Sequence, residues 1–155
     1  MIDVVDSATR SRMMAGILSK NTKPELTVRR YLHSCGYRYR LYCKKLPGTP
    51  DLVLSKYKLA IFVHGCFWHR HYDCFYSILP ATRSGFWSEK LSRNVDRDRR
   101  QLAELTSMGW RVLIIWECGL KHRVEGMGEI VELIGSAESI MEWPIIAPRK
   151  KLTNK

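Results

Sequence analysis

Two stretches of the chain are apolar at every position, Leu59–Val63 and Val112–Trp116, each only five residues long. Runs that short with no polar face read as strands covered on both sides of a sheet. Asp51–Leu54 reads as a third strand, joined to the first by the polar turn Ser55-Lys56-Tyr57-Lys58. Tyr37–Tyr42 alternates aromatic and basic residues, the pattern of a half-buried strand, and Leu46-Pro47-Gly48-Thr49-Pro50 is a rigid turn. Helical spacing appears elsewhere. Thr22-Lys23-Pro24-Glu25 has the form of a capping box with proline in the first turn; Val28, Tyr31, Leu32 and Cys35 then share one face, and Gly36 ends the helix. A long helix is expected from Phe86 to Met108, with Leu91, Val95, Leu102 and Leu105 as its apolar stripe and Gly109 as its stop. Gly126–Trp143 reads as a last amphipathic helix that turns Ile130, Val131, Ile134 and Met141 inward.

Strand, long helix, strand is the signature of a right-handed crossover between parallel neighbours, so the class is α/β. The length of 155 residues suits one domain with one sizeable core, set here at 21–145. Residues 1–20 form a polar-basic arm, either ordered by a partner or a frayed terminus, and 146–155 a basic tail, disordered from Lys150. Parallel strands place their carboxyl ends at one edge of the sheet. Cys66 follows the first apolar strand and Cys118 the second, so two cysteines far apart in sequence are expected to meet.

Charge changes the picture next. Lysine and arginine number 26 against 15 acidic residues, a formal charge of +11, which predicts attraction to a polyanion unless the excess is simply a solvated basic surface. No apolar run is long enough to span a bilayer, and Arg10 and Arg12 interrupt the place where an export signal would carry its apolar core. The expected setting is the cytoplasm. Five cysteines without an export signal argue against a disulfide framework. Cys35 is expected to be a buried small hydrophobe on its helix and Cys43 a bystander.

Candidate chemistry concentrates between Val63 and Cys74, where V-H-G-C-F-W-H-R-H-Y-D-C holds three of the five histidines. Cys66-x4-His71-x2-Cys74, completed by Cys118, offers three thiolates and one imidazole, a set that zinc binds tetrahedrally in closed, structural sites. His69 is the rival for the imidazole position. Pro50-Asp51 opens one strand and His64 ends the next, an arrangement that resembles the PD-(D/E)XK nucleases, although Phe62-Val63-His64 stands where they carry Glu-x-Lys. Asp98 falls on the apolar stripe of the long helix, one turn after Asn94. An inward carboxylate needs a partner. That partner is either Arg97, Arg99 or Arg111 in an ion pair, or a histidine of the loop, which the carboxylate would orient as a base.

At this point the residues resemble a known family. Leu-Pro-Gly-Thr-Pro-Asp (46–51), His-Gly-Cys-Phe-Trp-His (64–69), Pro-Ala-Thr-Arg (80–83), Phe-Trp (86–87), Asn-x3-Asp (94–98) and Gly-Trp-Arg-Val-Leu-Ile-Ile-Trp-Glu-Cys (109–118) are similar to the very short patch repair endonucleases, from about Asp6 to Leu120. The resemblance implies a restriction-endonuclease-like fold, a mixed central sheet flanked by helices with one structural zinc, and a magnesium-dependent enzyme that nicks double-stranded DNA at T·G mismatches left by deamination of 5-methylcytosine. By motif, Asp51 would bind magnesium together with the backbone carbonyl of Val63, where the family more often has threonine. His64 would assist at the scissile phosphate and His69, supported by Asp98, would act as base. Glu25 matches an active-site carboxylate, although its capping role explains it equally. Phe67, Trp68 and Trp87 would form a wedge between base steps, with Met14, Lys90 and Asn94 touching the mismatch. Mismatch-repair proteins and a DNA polymerase stand as candidate partners of a monomer acting at the bacterial nucleoid. Two other readings compete with this one: a nuclease of the same fold with a different trigger, and a zinc-bearing DNA-binding module without catalysis.

Overall fold

The structure, a computed structural model, describes residues 20–151. Five strands form one sheet in the order β1 (Arg40–Leu41), β2 (Leu52–Leu54), β3 (Leu59–His64), β4 (Arg111–Trp116) and β5 (Ile140–Trp143). β2 runs antiparallel to both β1 and β3, and β3, β4 and β5 run parallel. Around them lie α1 (Lys23–Ser34), α2 (Ser84–Ser107), α3 (Glu117–His122) and α4 (Gly128–Ile134).

Strand alternation divides the core. Leu59, Ile61, Leu113, Ile115, Met141 and Trp143 turn to the face covered by Val28 and Leu32 of α1 and by Ile130 and Ile134 of α4. Ala60, Phe62, Val112, Ile114 and Trp116 turn to the other face, under Leu105 of α2. Both faces of β3 and β4 are therefore dry, which is why their sequences carry no polar alternation. Each fully buried aliphatic side chain there contributes about 1.5–3 kcal/mol, so the central pair is the rigid part of the molecule.

The ends of α1 follow from its sequence. Thr22 is the N-cap and its hydroxyl accepts the Glu25 N–H at 3.4 Å. The reciprocal half of the expected capping box is displaced by one residue: the Glu25 carboxylate takes the Asn21 N–H at 3.1 Å instead. Gly36, at φ +88°, closes the helix in the left-handed conformation that glycine adopts without steric cost.

Four expectations need correction. Gly126–Trp143 is not one helix: α4 ends at Ile134, and Ile140–Trp143 is the parallel edge strand β5, where burial alternates residue by residue. Met141 does face inward, but from a strand, because a period of two suits it as well as a period of 3.6. Cys35 is exposed, since α1 ends at Ser34 and the stripe no longer turns it to the core. The strand expected over Tyr37–Tyr42 shrinks to Arg40–Leu41, because β2 is only three residues long and offers no longer partner. Nor does the basic tail hang free as far as Lys151. Ala147 is buried, Lys150 bridges Cys74, and the Arg149 carbonyl accepts the Phe75 N–H at 2.9 Å. Residues 1–19 of the expected arm at 1–20, Met14 among them, and residues 152–155 lie outside the described residues.

Candidate active site and metal cluster

The site forms where β2 stops short. β2 pairs with β3 only as far as Leu52↔Ile61, which leaves the end of β3 without a backbone partner on that edge. Asp51 fills the gap, its Oδ2 accepting the Val63 N–H at 2.7 Å. Burial pushes the Asp51 carboxyl up to about 6, against the pull of that N–H, and the nearby charge of Glu25 raises it further while His69 and Arg29 oppose. One residue on, β3 delivers His64 into the same cleft. Burial, then the neighbouring His69, holds its imidazole well below the usual 6.5, so His64 is neutral at physiological pH, and its Nδ1 is buried without a hydrogen-bond partner among the described residues.

His69 arrives from the loop after β3, its N–H bonded back to the Gly65 carbonyl at 3.1 Å. Its ring stacks on His64 with centroids 3.6 Å apart and planes 5° from parallel. Its Nδ1 meets Asp98 Oδ2 at 2.6 Å, which resolves the open question about that inward carboxylate. Asp98 pairs with the histidine, and Arg97 stands further off at 3.8 Å. Arg111 is spent on carbonyls at the end of α4, including Ile134 at 3.0 Å and Ser136 at 2.7 Å. Asp51, His64, His69, Asp98 and Glu25 all line one cleft of about 930 Å³. The side chain of Glu25 is itself buried, and its Oε2 accepts from Arg29 Nη2 at 3.2 Å and from the Tyr42 hydroxyl.

Beneath the loop, Cys66, His71, Cys74 and Cys118 converge, with one donor atom from each lying within 4.8 Å of all the others and all four residues buried. His71 Nδ1 is 3.7 Å from the Cys66 sulfur and 3.3 Å from that of Cys118, and its ring stacks on Trp116. The parallel register that sets His64 opposite Trp116 is what brings Cys66 and Cys118 together. A hydrogen bond with Cys118, added to burial, raises the Cys66 thiol strongly, and burial raises that of Cys74. Buried thiols are poor anions alone, and a bound cation reverses that preference. His69 is absent from this group, so the rivalry for the imidazole position falls to His71.

Phe67, Trp68 and Trp87 form a triangle of edge-on contacts with centroid separations of 5.1, 5.5 and 5.9 Å. Lys90 Nζ sits 5.8 Å from the Trp68 ring and from the Trp87 ring, and Asn94 Nδ2 donates to the Trp68 carbonyl at 3.2 Å. Phe67 and Trp68 stay half-exposed, whereas Trp87 is largely buried beneath them.

Sequence reasoning missed three neighbours. Glu117 Oε1 accepts the Cys66 N–H at 3.3 Å and lines the cleft. Its sequence signals are its place just after β4 and its membership of the 109–118 motif, neither of which marks it as lining the cleft. Tyr42, just past β1, and Arg29, one turn further along α1, brace Glu25; the i,i+4 spacing of Glu25 and Arg29 is a readable signal, and nothing announces Tyr42.

An acid opening one strand, with histidines at the end of the next and a metal-binding loop behind them, places the chain in the class of restriction-endonuclease-like nucleases. A sequence model of the DNA mismatch endonuclease Vsr matches residues 2–75. The chain is 43% identical over 143 residues to the DNA mismatch endonuclease Vsr of Escherichia coli, covering 92% of this chain and 88% of that protein. It is 48% identical over 120 residues to the type II nicking enzyme V.XorIIP of Xanthomonas oryzae pv. oryzae, covering 77% and 88%. With the type II nicking enzyme V.NmeAIP of Neisseria meningitidis it shares 44% identity over 123 residues, covering 79% and 87%. The chain belongs to the Vsr family of DNA mismatch endonucleases.

Proposed function

We propose that this DNA endonuclease nicks one strand beside a T·G mismatch, the product of 5-methylcytosine deamination, with magnesium as its catalytic ion, and so starts very short patch repair. The observation that carries the reading is the His69–Asp98 pair at 2.6 Å in the cleft that also holds Asp51 and His64. A histidine so oriented is a competent base towards water.

The residues divide the work. Asp98 holds the proton on His69 Nδ1, which leaves Nε2 as the basic nitrogen. His69 removes the proton from the attacking water, and His64, neutral and stacked on it, assists at the phosphate without adding a competing charge. Asp51 and the Val63 carbonyl would hold magnesium, whose charge favours the attacking and leaving oxygens of an in-line displacement. The fit is supported locally: the Val63 N–H turns to Asp51, and an extended residue presents its carbonyl on the same strand edge as its N–H. Val63 in place of the family's commoner threonine does not alter that backbone group. Glu25 adds negative charge to the same cleft.

Cys66, His71, Cys74 and Cys118 would hold zinc as a structural clamp. In a tetrahedron with bonds of about 2.0–2.3 Å the donor atoms lie about 3.5–3.8 Å apart. Of the separations from His71 Nδ1, 3.7 Å falls in that range and 3.3 Å lies just short of it. Phe67, Trp68 and Trp87 open the duplex. Unstacking costs a few kcal/mol, least at a mismatch, and each base–ring contact returns about 1–3 kcal/mol, so a wobble step is the easiest target. Lys90 and Asn94, fixed against the wedge, read the opened pair. Met14 would add to this from the arm at 1–20, and 21–145 would be the single catalytic domain. The enzyme would act as a monomer in the cytoplasm, at the nucleoid, with a DNA polymerase and mismatch-repair proteins as its successors at the nick. Among the described residues no helix is long and apolar enough to cross a membrane.

The test uses purified protein, magnesium and duplexes that differ only by T·G or C·G at one position. Nicking of the T·G duplex alone is expected. Equal cutting of both overturns the mismatch trigger, and binding without cutting of either favours the non-catalytic module.

A further inference from the structure

We propose that a groove between α1 and α3, floored by Tyr76, is a second subsite for the phosphodiester backbone, and that it carries the DNA flank out of the catalytic cleft. The inference rests on the reading of the chain as a DNA endonuclease. The groove encloses about 510 Å³ and shares two walls, Pro24 and Glu117, with the catalytic cleft, so the two form one continuous trough.

Its rim is cationic and its floor aromatic. Lys121 Nζ lies 4.8 Å from the centre of the Tyr76 ring, the His122 ring stacks on the same tyrosine at 5.6 Å, and His122 Nε2 bonds the Tyr76 hydroxyl at 2.5 Å. The Arg149 guanidinium caps Phe75 at 3.5 Å. Lys23 stands on the opposite wall. All four basic residues are exposed, and among the described residues none is salt-bridged to a carboxylate. Aromatic rings hold Lys121 and Arg149 in place without neutralising them, so their charge remains available to an anion. The one carboxylate on the wall, Glu117, is turned to the Cys66 N–H.

Lys23 carries a second signal. It is the first residue of α1, where a positive side chain opposes the helix dipole and costs about 0.3–1 kcal/mol. A cation kept there at a cost, with a lysine across the groove, matches a phosphate better than it matches a merely solvated face. Recognition at this subsite is of the backbone, independent of base sequence and of the mismatch.

The experiment measures DNA affinity against salt for the wild-type protein, Lys23→Gln, Lys121→Gln and the double variant, each with T·G and C·G duplexes. A further duplex pair is truncated stepwise on either side of the mismatch. Melting temperature and zinc content are recorded in parallel. Each single variant is expected to reduce the slope of log affinity against log salt by about 0.9, and the double variant by about twice that, equally on both duplexes. The difference from wild type should vanish when the duplex is shortened on one side only. An unchanged slope in variants of normal melting temperature and zinc content overturns the subsite, as does a loss confined to the T·G duplex. Failure of the mismatch reading would show separately, as wild-type protein that does not prefer to nick T·G.

Discussion

Asp51 sits in conflict with its surroundings. Its carboxyl titrates near 6 in the fold against 3.8 in the free residue, so the folded chain holds a proton there that the unfolded chain gives up. Below 3.8 both forms are protonated and nothing is lost. As pH rises to about 6 the fold loses stability, and above 6 the penalty is complete, on the order of 2 kcal/mol after allowing for partial solvation. His64 acts with the opposite sign, because a fold that keeps it neutral loses stability as pH drops below 6.5. Asp51→Asn isolates the first effect. Without added magnesium, urea unfolding should show the variant more stable than wild type at pH 7.5 and no different at pH 3.5, while nicking disappears. A variant less stable at pH 7.5 would mean that the ionised carboxylate is satisfied without a cation. On the proposed reading Asp98 is a positioning residue that orients His69. Asp98→Asn should lower kcat about 10²-fold or more with KM little changed. An unchanged kcat would remove the supporting role. Of these groups, Asp51, His64 and His69 were legible through motif, and Asp98 through its misplaced polarity on an apolar stripe. The Asp51–Val63 bond was not legible, since it depends on where β2 stops pairing.

At the scale of elements, the loop from Cys66 to Phe75 is held from several sides: its four-residue donor cluster, the Glu117 carboxylate, and the strand-like contact of Lys150 with Cys74. Phe67, Trp68 and His69 are carried on that loop, so loosening it should disturb both the aromatic triangle and the cleft. Cys74→Ser is expected to lower zinc content and melting temperature together, and to weaken T·G discrimination before it abolishes binding to plain duplex. Discrimination retained in metal-free protein, followed by parallel zinc assay and nicking, would show the loop to be self-supporting. The parallel pair β3 and β4, the crossover helix and the meeting of Cys66 with Cys118 all followed from the hydrophobic pattern, because a strand dry on both faces leaves little ambiguity. The segment from Gly126 onward did not. Apolar residues at Ile130, Val131, Ile134 and Met141 satisfy helical spacing, and only tertiary pairing with β4 makes the last of them part of a strand. An edge strand of four residues carries too few positions for its alternation to outweigh a preceding helix.

For the molecule as a whole, the charge of +11 is unevenly used: Arg29 and Arg111 are occupied inside the fold, whereas many other cations face solvent. Binding to any duplex should therefore be strongly salt-dependent. If about 6–10 phosphates are neutralised, affinity falls roughly 10³–10⁵-fold between about 50 and 200 mM salt, and fluorescence anisotropy on a matched duplex would measure it. Specificity for the mismatch should be far less sensitive, since base unstacking releases no counterions. A ratio of T·G to C·G affinity that collapses with salt would place discrimination in the backbone contacts instead.

The α2 crossover that separates Cys66 from Cys118 also sets an order of events during self-assembly. Three donors lie within nine residues of one another and can seize an ion early, but the fourth arrives only once β4 has docked beside β3. With a cation held there, a nascent chain would pass through a loosely chelated stage, and tight ion retention would mark the moment when this non-local contact is made. Chelator challenge at timed intervals of refolding would read that moment directly, as a stopwatch built into the polypeptide.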